Sequence, residues 1–263
     1  MKETDLGSRF PVRRETSAGV VYHRRGSGRP IVLLHGWCLN RDIWCYEEDL
    51  LASGHDVITP DLPGFGLSAG IAGPYDMQTY VHAVRGLLDE LDLTDVVLVG
   101  FAFGAAVGMT LAAQDGSRLG GLVAVGVPSA QVFPAERMAR SMRRDWPDFA
   151  RRSAAVLCKQ PQSEATIDWI ERMFRGTALS VGVEAAALLG EFEPEPVCPA
   201  ITVPALFVHG ADDDVIPVAV SERCADLAPA GRFHALADCG HLAVIDQRQA
   251  FHDALAQFLG ERS

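Results

Sequence analysis

The fold is decided by Asp95-Val96-Val97-Leu98-Val99-Gly100-Phe101-Ala102-Phe103-Gly104-Ala105-Ala106-Val107-Gly108. This stretch begins as a nearly continuous apolar strand, passes through two glycines, and continues as a helix of small residues. An apolar strand without alternation is typical of a parallel sheet that is covered on both faces. Gly100 and Gly104 suit a sharp bend between strand and helix, because a Cβ atom would not fit where the two elements approach each other.

This strand, turn and helix resemble the nucleophile elbow of the α/β-hydrolase family, where Gly-x-Ser-x-Gly lifts one side chain clear of the sheet. In this chain the motif contains Ala102 at the position where the family carries its nucleophile. The resemblance implies an α/β-hydrolase fold, with a mostly parallel central sheet flanked by helices and a helical lid inserted after strand 6.

Alternating strand and helix patterns on either side of the elbow predict how the chain is divided. Residues 1–128 and 203–263 contain all the strand patterns, and we predict that they form the hydrolase core. The strand pattern disappears in residues 129–202, and we expect this segment to be the helical lid. The expected lid helices are 135–144, 147–159, 163–175 and 179–189.

Composition limits the classes of function. The chain has 263 residues and a formal net charge of -11, which argues against general binding to nucleic acid because phosphate requires clustered positive charge. No apolar run approaches the roughly 18 residues that span a bilayer, and the first residues lack the pattern of a secretion signal. We therefore expect a cytoplasmic protein without a membrane partner. The six cysteines lack zinc or disulfide spacing, and neither a metal nor an organic cofactor is expected.

Two groups that follow the last strands match the base and the acid of a catalytic triad. His241 follows the last predicted strand, where the family places its base, and a free imidazole titrates near ~6.5. Aligning Gly210 and Pro217 with the family's Gly-x-x-Asp-x-x-x-Pro pattern selects Asp213 as the acid that orients this base. A shift of one residue would select Asp212 or Asp214 instead, so these alternatives stay open.

The family also uses two backbone amides to hold the oxyanion that forms during ester cleavage. One belongs to the residue after the nucleophile, and the other to the loop after His-Gly. The resemblance therefore assigns the oxyanion hole to Phe103 and Trp37.

Ala102 admits two explanations, since a methyl group cannot attack a carbonyl. The chain is either a Ser-to-Ala form of a serine esterase, engineered to bind substrate without turnover, or a natural noncatalytic binding protein. The retained acid, base and elbow glycines favour the first explanation, because their joint use requires a hydroxyl at position 102.

A narrower resemblance is to the pimeloyl-acyl-carrier-protein methyl ester esterases of biotin synthesis. It depends on His35-Gly36-Trp37-Cys38-Leu39-Asn40, on Asp61-Leu62-Pro63-Gly64-Phe65-Gly66-Leu67-Ser68, on the elbow, and on a lid of similar length. The resemblance implies a carboxylic ester hydrolase that acts on a carrier-linked methyl ester. A small-ester or lactone hydrolase without a carrier partner is the alternative enzyme, and the oligomeric state is not indicated.

The lid is basic within an otherwise acidic chain. Such a segment would attract an acidic acyl carrier protein, whereas the alternative is a solvated face that pairs with acids elsewhere. Aromatic and methionine side chains of the lid either line an acyl tunnel or form ordinary lid core; they are Trp146, Phe149, Trp169, Met173 and Phe174. The candidate carrier-binding residues are Arg137, Arg140, Arg143, Arg144, Arg151 and Arg152.

Overall fold

The computed structural model describes residues 12–260, and an eight-stranded sheet forms its centre. The strand order is β1-β2-β4-β3-β5-β6-β7-β8. β1 and β2 are antiparallel to their neighbours, and every other pairing is parallel. The strands are β1 (Val12–Glu15), β2 (Val21–Gly26), β3 (Arg29–Leu34), β4 (His55–Pro60), β5 (Val96–Phe101), β6 (Leu119–Val125), β7 (Ala205–Gly210) and β8 (Gly231–Leu236).

Helices cover both faces of this sheet, which confirms the predicted fold class. They are α1 (Cys45–Leu51), α2 (Met77–Glu90), α3 (Phe103–Gln114), α4 (Ala135–Arg144), α5 (Trp146–Val156), α6 (Glu164–Gly176), α7 (Leu179–Leu189), α8 (Ala219–Leu227), α9 (Ala243–Asp246) and α10 (Arg248–Gly260). Short 3-10 turns lie at Arg41–Trp44, Gly66–Ser68 and Cys198–Ala200.

Successive residues of the central strands enter different cores, because side chains alternate across a sheet. Val32 and Leu34 of β3 pack in the core that also contains residues of α2, α3 and α8. Ile31 and Leu33 pack in the opposite core, with residues of α1 and α10. β5 is buried along its whole length, and this two-sided burial explains its lack of hydrophobic alternation.

The predicted elements and the observed ones differ mainly at short helices. The side chain of Asn40 caps the 3-10 turn Arg41–Trp44, and α1 follows this turn as a separate short helix. Asp76 caps α2 by accepting a hydrogen bond from the Thr79 N–H at 2.7 Å. The sequence reading missed α9, which has only four residues and no side-chain cap.

The lid segment contains α4, α5, α6 and α7, and no strand is described between residues 129 and 202. α4 and α7 have the expected bounds, and α5 ends three residues early, at Val156. The division at residues 128 and 203 stays a prediction. The expectation about a secretion signal falls on residues 1–11, outside the described residues. Within residues 12–260, no helix combines the length and the apolar character needed to cross a membrane.

Candidate active site

Ala102 occupies a strained turn between β5 and α3. Its backbone has φ 46° and ψ -105°, which is a rare conformation for a residue with a side chain. A Cβ on Gly104 would lie 2.4 Å from the Leu34 carbonyl oxygen, and one on Gly100 would lie 2.3 Å from the Gly104 carbonyl oxygen. The turn therefore has the close strand–helix packing that the glycine spacing indicated. Ala102 is 6% exposed, at the floor of a cavity.

His241 and Asp213 meet at the same end of the sheet. Asp213 follows β7 and His241 follows β8, so parallel strands bring the two loops together. The Nδ1 atom of His241 lies 2.7 Å from Oδ2 of Asp213. An ionised carboxylate only accepts hydrogen bonds, so His241 donates from Nδ1, and its Nε2 is left with a lone pair.

The carboxylate of Asp213 is surrounded by donors. The backbone N–H groups of Val215 and Ile216 donate to Oδ1 at 2.7 and 2.9 Å, and His209 Nε2 lies 3.0 Å from Oδ2. Burial raises the pKa of Asp213, but the positive charge that His241 carries when it is protonated, together with the hydrogen bonds from both histidines and from Ile216, outweighs burial and holds the pKa well below its ordinary value. Asp213 is thus ionised at neutral pH.

The neighbouring aspartates are placed differently. Asp212 is exposed, and its backbone N–H donates to the Cys239 carbonyl oxygen at 2.9 Å. Asp214 is exposed and lines the cavity. Of these three carboxylates, the one in contact with His241 belongs to Asp213. Its role in catalysis stays a prediction.

The two candidate oxyanion donors are both close to Ala102: Phe103 follows it in the chain, and Trp37 lines the same cavity. Phe103 is the first residue of α3, and the first N–H groups of a helix have no carbonyl partner within that helix. Trp37 lines the cavity beside Ala102, and its indole Nε1 donates to the Gly182 carbonyl oxygen on α7 at 2.8 Å. This bond ties the His-Gly-Trp loop to the lid. The use of these amides in an oxyanion hole stays a prediction.

A cavity of about 370 Å³ separates the core from the lid at this position. Its lining is largely apolar, and both Ala102 and His241 contribute to it. Of the aromatic lid residues considered for an acyl tunnel, Phe174 lines this cavity. Trp146 and Phe149 do not line it, and their rings stack on each other with centroids 5.8 Å apart. Other apolar walls come from Phe133, Met138, Val156, Leu157 and Leu189.

The six candidate lid arginines are all exposed, but they differ in their partners. Arg151 contacts Asp168, Glu171 and Glu164 of α6 at 2.8, 3.0 and 3.4 Å. Arg152 pairs with Asp148 at 2.8 Å, and Arg140 pairs with Glu136 at 3.3 Å. Arg137 lines the cavity. Across residues 12–260, no salt bridge involves Arg137, Arg143 or Arg144.

Sequence reasoning missed His209, the next-to-last residue of β7, which directly precedes Gly210. Its position two residues before the carboxylate loop was the available signal. All six cysteines are free thiols. Among the described residues, no three His, Cys, Asp or Glu side chains are grouped so that they could hold a metal ion.

Comparisons with known proteins agree with this architecture. The chain is 27% identical to a non-heme chloroperoxidase of Kitasatospora aureofaciens, over 92% of this chain and 96% of that protein. It is also 27% identical to a pimeloyl-[acyl-carrier protein] methyl ester esterase of Edwardsiella ictaluri, over 94% of this chain and 99% of that protein. An esterase structure from Exiguobacterium antarcticum superposes with a TM-score of 0.88 at 23% identity, over 95% of this chain and 100% of that one.

A family match covers most of the chain and includes the elbow, Asp213 and His241. Residues 31–254 match the family described as "Alpha/beta hydrolase family". This chain therefore belongs to the alpha/beta hydrolase family.

Proposed function

We propose that the protein is a carboxylic ester hydrolase of the serine type in which alanine takes the place of the nucleophile. The observation that carries this proposal is the bond between His241 Nδ1 and Asp213 Oδ2 at 2.7 Å, in a ring that lines the same cavity as Ala102. An oriented imidazole beside an elbow residue has a clear chemical use when that residue carries a hydroxyl.

A serine at position 102 would act as follows. His241 Nε2 takes the hydroxyl proton while the oxygen attacks the ester carbonyl carbon. The amides of Phe103 and Trp37 stabilise the resulting oxyanion, and the imidazolium returns its proton to the leaving alcohol. Water, activated by the same imidazole, then releases the acid. Asp213 stays ionised throughout and stabilises the imidazolium.

The test is to install the hydroxyl through Ala102→Ser and to assay short p-nitrophenyl esters. Turnover should rise by several orders of magnitude, since loss of such a nucleophile costs about a millionfold. The double variant Ala102→Ser with His241→Gln is the matched control and should remain near the starting rate. If the folded Ala102→Ser protein stays inert, the chain is not a disabled serine esterase.

For the substrate, we propose a methyl ester linked to an acyl carrier protein, such as a pimeloyl-carrier methyl ester. The similarity to the Edwardsiella ictaluri esterase supports this choice, as does the apolar cavity, which suits an acyl chain. Arg137 at the cavity, with Arg143 and Arg144 on the same helix, offers unpaired positive charge to the phosphate of a carrier arm and to an acidic carrier surface. The pairing of Arg151 and Arg152 within the lid makes them weaker candidates for docking.

Charge reversal tests the carrier partner. In the Ala102→Ser background, Arg140→Glu, Arg143→Glu and Arg144→Glu together should raise KM for a carrier-linked ester and leave KM for a small ester unchanged. Arg172→Glu, an exposed arginine of α6, is the matched control. Equal effects on both substrates would eliminate docking through α4.

The alternative enzyme is a small-ester or lactone hydrolase without a carrier, which the lid pairing of Arg140, Arg151 and Arg152 favours. The alternative without catalysis is a binding protein on this scaffold. Mass spectrometry of the proteins and small molecules that co-purify with the Ala102 form distinguishes an ester carried on a protein from a free ester.

A further inference from the structure

His209 is a second buried histidine at the site, and the mechanism above makes no use of it. It is the next-to-last residue of β7, and its side chain is fully buried. Its Nε2 lies 3.0 Å from Asp213 Oδ2 and 3.0 Å from the Ile216 carbonyl oxygen. Its Nδ1 lies 2.6 Å from the hydroxyl oxygen of Ser221 on α8.

These contacts select one tautomer of the ring. The carboxylate and the carbonyl are both acceptors, so the hydrogen must be on Nε2. A neutral ring then accepts at Nδ1 from the hydroxyl of Ser221. The Ser221 oxygen in turn accepts a hydrogen bond from the backbone N–H of Val127 at 3.3 Å. The three hydrogen bonds thus form one series: Val127 N–H donates to Ser221, the Ser221 hydroxyl donates to His209, and His209 donates to Asp213.

Asp213 consequently accepts two hydrogen bonds on each oxygen. Backbone N–H groups hold Oδ1, whereas both histidines donate to Oδ2 at 3.0 and 2.7 Å. This matches the roughly four acceptor sites of a carboxylate. The plane of the carboxylate is therefore fixed from four directions, and His241 shares its acceptor atom with His209.

We propose that His209 is a positioning residue: through the shared Oδ2 of Asp213 it holds the carboxylate in the plane that keeps His241 in its Nδ1–H tautomer. Ser221 and the Val127 N–H hold His209 itself in the donating tautomer. The catalytic meaning of this arrangement rests on the proposed ester hydrolysis, but the hydrogen-bond arrangement does not.

Other titratable groups near the carboxylate do not replace this contact. Cys239, on the loop that carries His241, is buried, and burial raises the pKa of its thiol to about 12. Asp212 and Asp214 flank Asp213 and are exposed. The charged residues of α8 are exposed as well; they are Glu222, Arg223 and Asp226.

The first test uses the Ala102 protein itself, labelled with ¹⁵N-histidine. Nitrogen shifts should place the ring hydrogen of His209 on Nε2 and that of His241 on Nδ1. In His209→Phe, exchange of the His241 Nδ1–H with water should accelerate roughly tenfold, because a hydrogen bond to a charged acceptor is lost. His209→Gln, which restores a side-chain N–H donor, should recover most of the protection. Unchanged exchange in folded His209→Phe, or a ring hydrogen on Nδ1 of His209, overturns the proposal.

The second test measures turnover in the Ala102→Ser background. His209→Phe should lower kcat about tenfold with KM nearly unchanged, since misalignment of a catalytic group reduces the rate more than binding. His209→Gln should restore kcat, because it returns a side-chain N–H donor to Oδ2 of Asp213.

Controls separate positioning from general stability. His234→Gln changes an exposed histidine of the neighbouring strand β8 and should alter neither the exchange rate nor kcat. If His209→Phe fails to fold, Ser221→Ala carries the test and should show the same changes at smaller size. A fall in Tm without any change in exchange or kcat would reduce His209 to a structural role. An inactive Ala102→Ser protein refutes the proposed function only, because the exchange experiment still decides the inference.

Discussion

Replacing Asp246 should loosen the connection between the lid and the loop that carries His241. Asp246 ends α9, and its carboxylate accepts three backbone hydrogen bonds. The Gly240 N–H donates at 2.6 Å, and the N–H groups of Lys159 and Gln160, after α5, donate at 2.7 and 2.8 Å. One side chain thus joins the end of a lid helix to the residue before His241.

The expected cost follows from which donors can find another partner. Lys159 and Gln160 are exposed, so water replaces Asp246 at their N–H groups at little cost. Gly240 is buried, and an unsatisfied buried donor costs about 1–3 kcal/mol. With the charge-assisted part of the other two bonds, Asp246→Ala should lower the free energy of unfolding by about 2–4 kcal/mol. Asp246→Asn retains one acceptor oxygen and should lower it by about half as much.

Urea denaturation followed by tryptophan fluorescence measures these differences. The control is Asp253→Ala on α10, an aspartate whose carboxylate accepts a hydrogen bond at 2.8 Å from the exposed Gln249 side chain. This change should alter the free energy of unfolding by less than about 0.5 kcal/mol. Amide exchange at Gly240 should accelerate in Asp246→Ala but not in the control.

A loss in Asp246→Ala no larger than in the control, with Gly240 exchange unchanged, would show that the three bonds contribute nothing beyond what water supplies. The reasoning about a buried donor would then be wrong for this loop.

Three further predictions concern stability. In urea denaturation, Gly104→Ala should lower the free energy of unfolding by more than about 3 kcal/mol, because the added Cβ would lie 2.4 Å from the Leu34 carbonyl oxygen. Gly86→Ala on α2 is the contrast: a Cβ added there would meet no neighbouring element within 4 Å, and the free energy of unfolding should rise by up to about 1 kcal/mol. Asp213 has a lowered pKa, so its contribution is complete above ~3.9 and lost as the pH falls; the cost of Asp213→Asn should therefore be about 1 kcal/mol smaller at pH ~3 than at pH ~7. Burial raises the pKa of Glu47 to about 8, against the charge of Arg248, and neither oxygen accepts a hydrogen bond from another described residue. Between pH ~4.3 and about 8, the folded protein therefore keeps a proton that the unfolded chain has already lost, so the free energy of unfolding falls as the pH rises through that window. Glu47→Met should remove this fall, which denaturation curves measured at both ends of the window would show.

Much of the fold was predictable because its causes are local. The apolar run of β5 and the small residues of α3 indicate a covered strand followed by a closely packed helix, and the structure has both. The lid helices α4 and α7 were predicted with their observed bounds, since a proline before α4 and the change of hydrophobic period are visible in a short window. α9 was missed because four residues are too few for a periodic pattern.

The candidate site was predictable where a motif residue has no neighbour of the same type that could take its place. The positions of Ala102 and His241 could be inferred from the sequence, since each follows a predicted strand, β5 and β8. Adjacent aspartates give no such separation, so Asp213 was selected only by its spacing from Gly210 and Pro217, and a shift of one residue stayed open. Their distances to His241 depend on how two loops from different strands approach each other.

The order of strands and helices, the bend at Ala102, and a base and a carboxylate after the last strands can all be inferred from the amino-acid sequence. Three contacts are visible only in the folded chain: the carboxylate oxygen that His241 contacts, the donation by His209 to the same atom, and the pairing of Arg151 with α6. The two sets differ in the distance along the chain over which their causes act. Backbone conformation responds to neighbours within a few residues, whereas a hydrogen bond is made or lost over less than 1 Å between groups far apart in the chain.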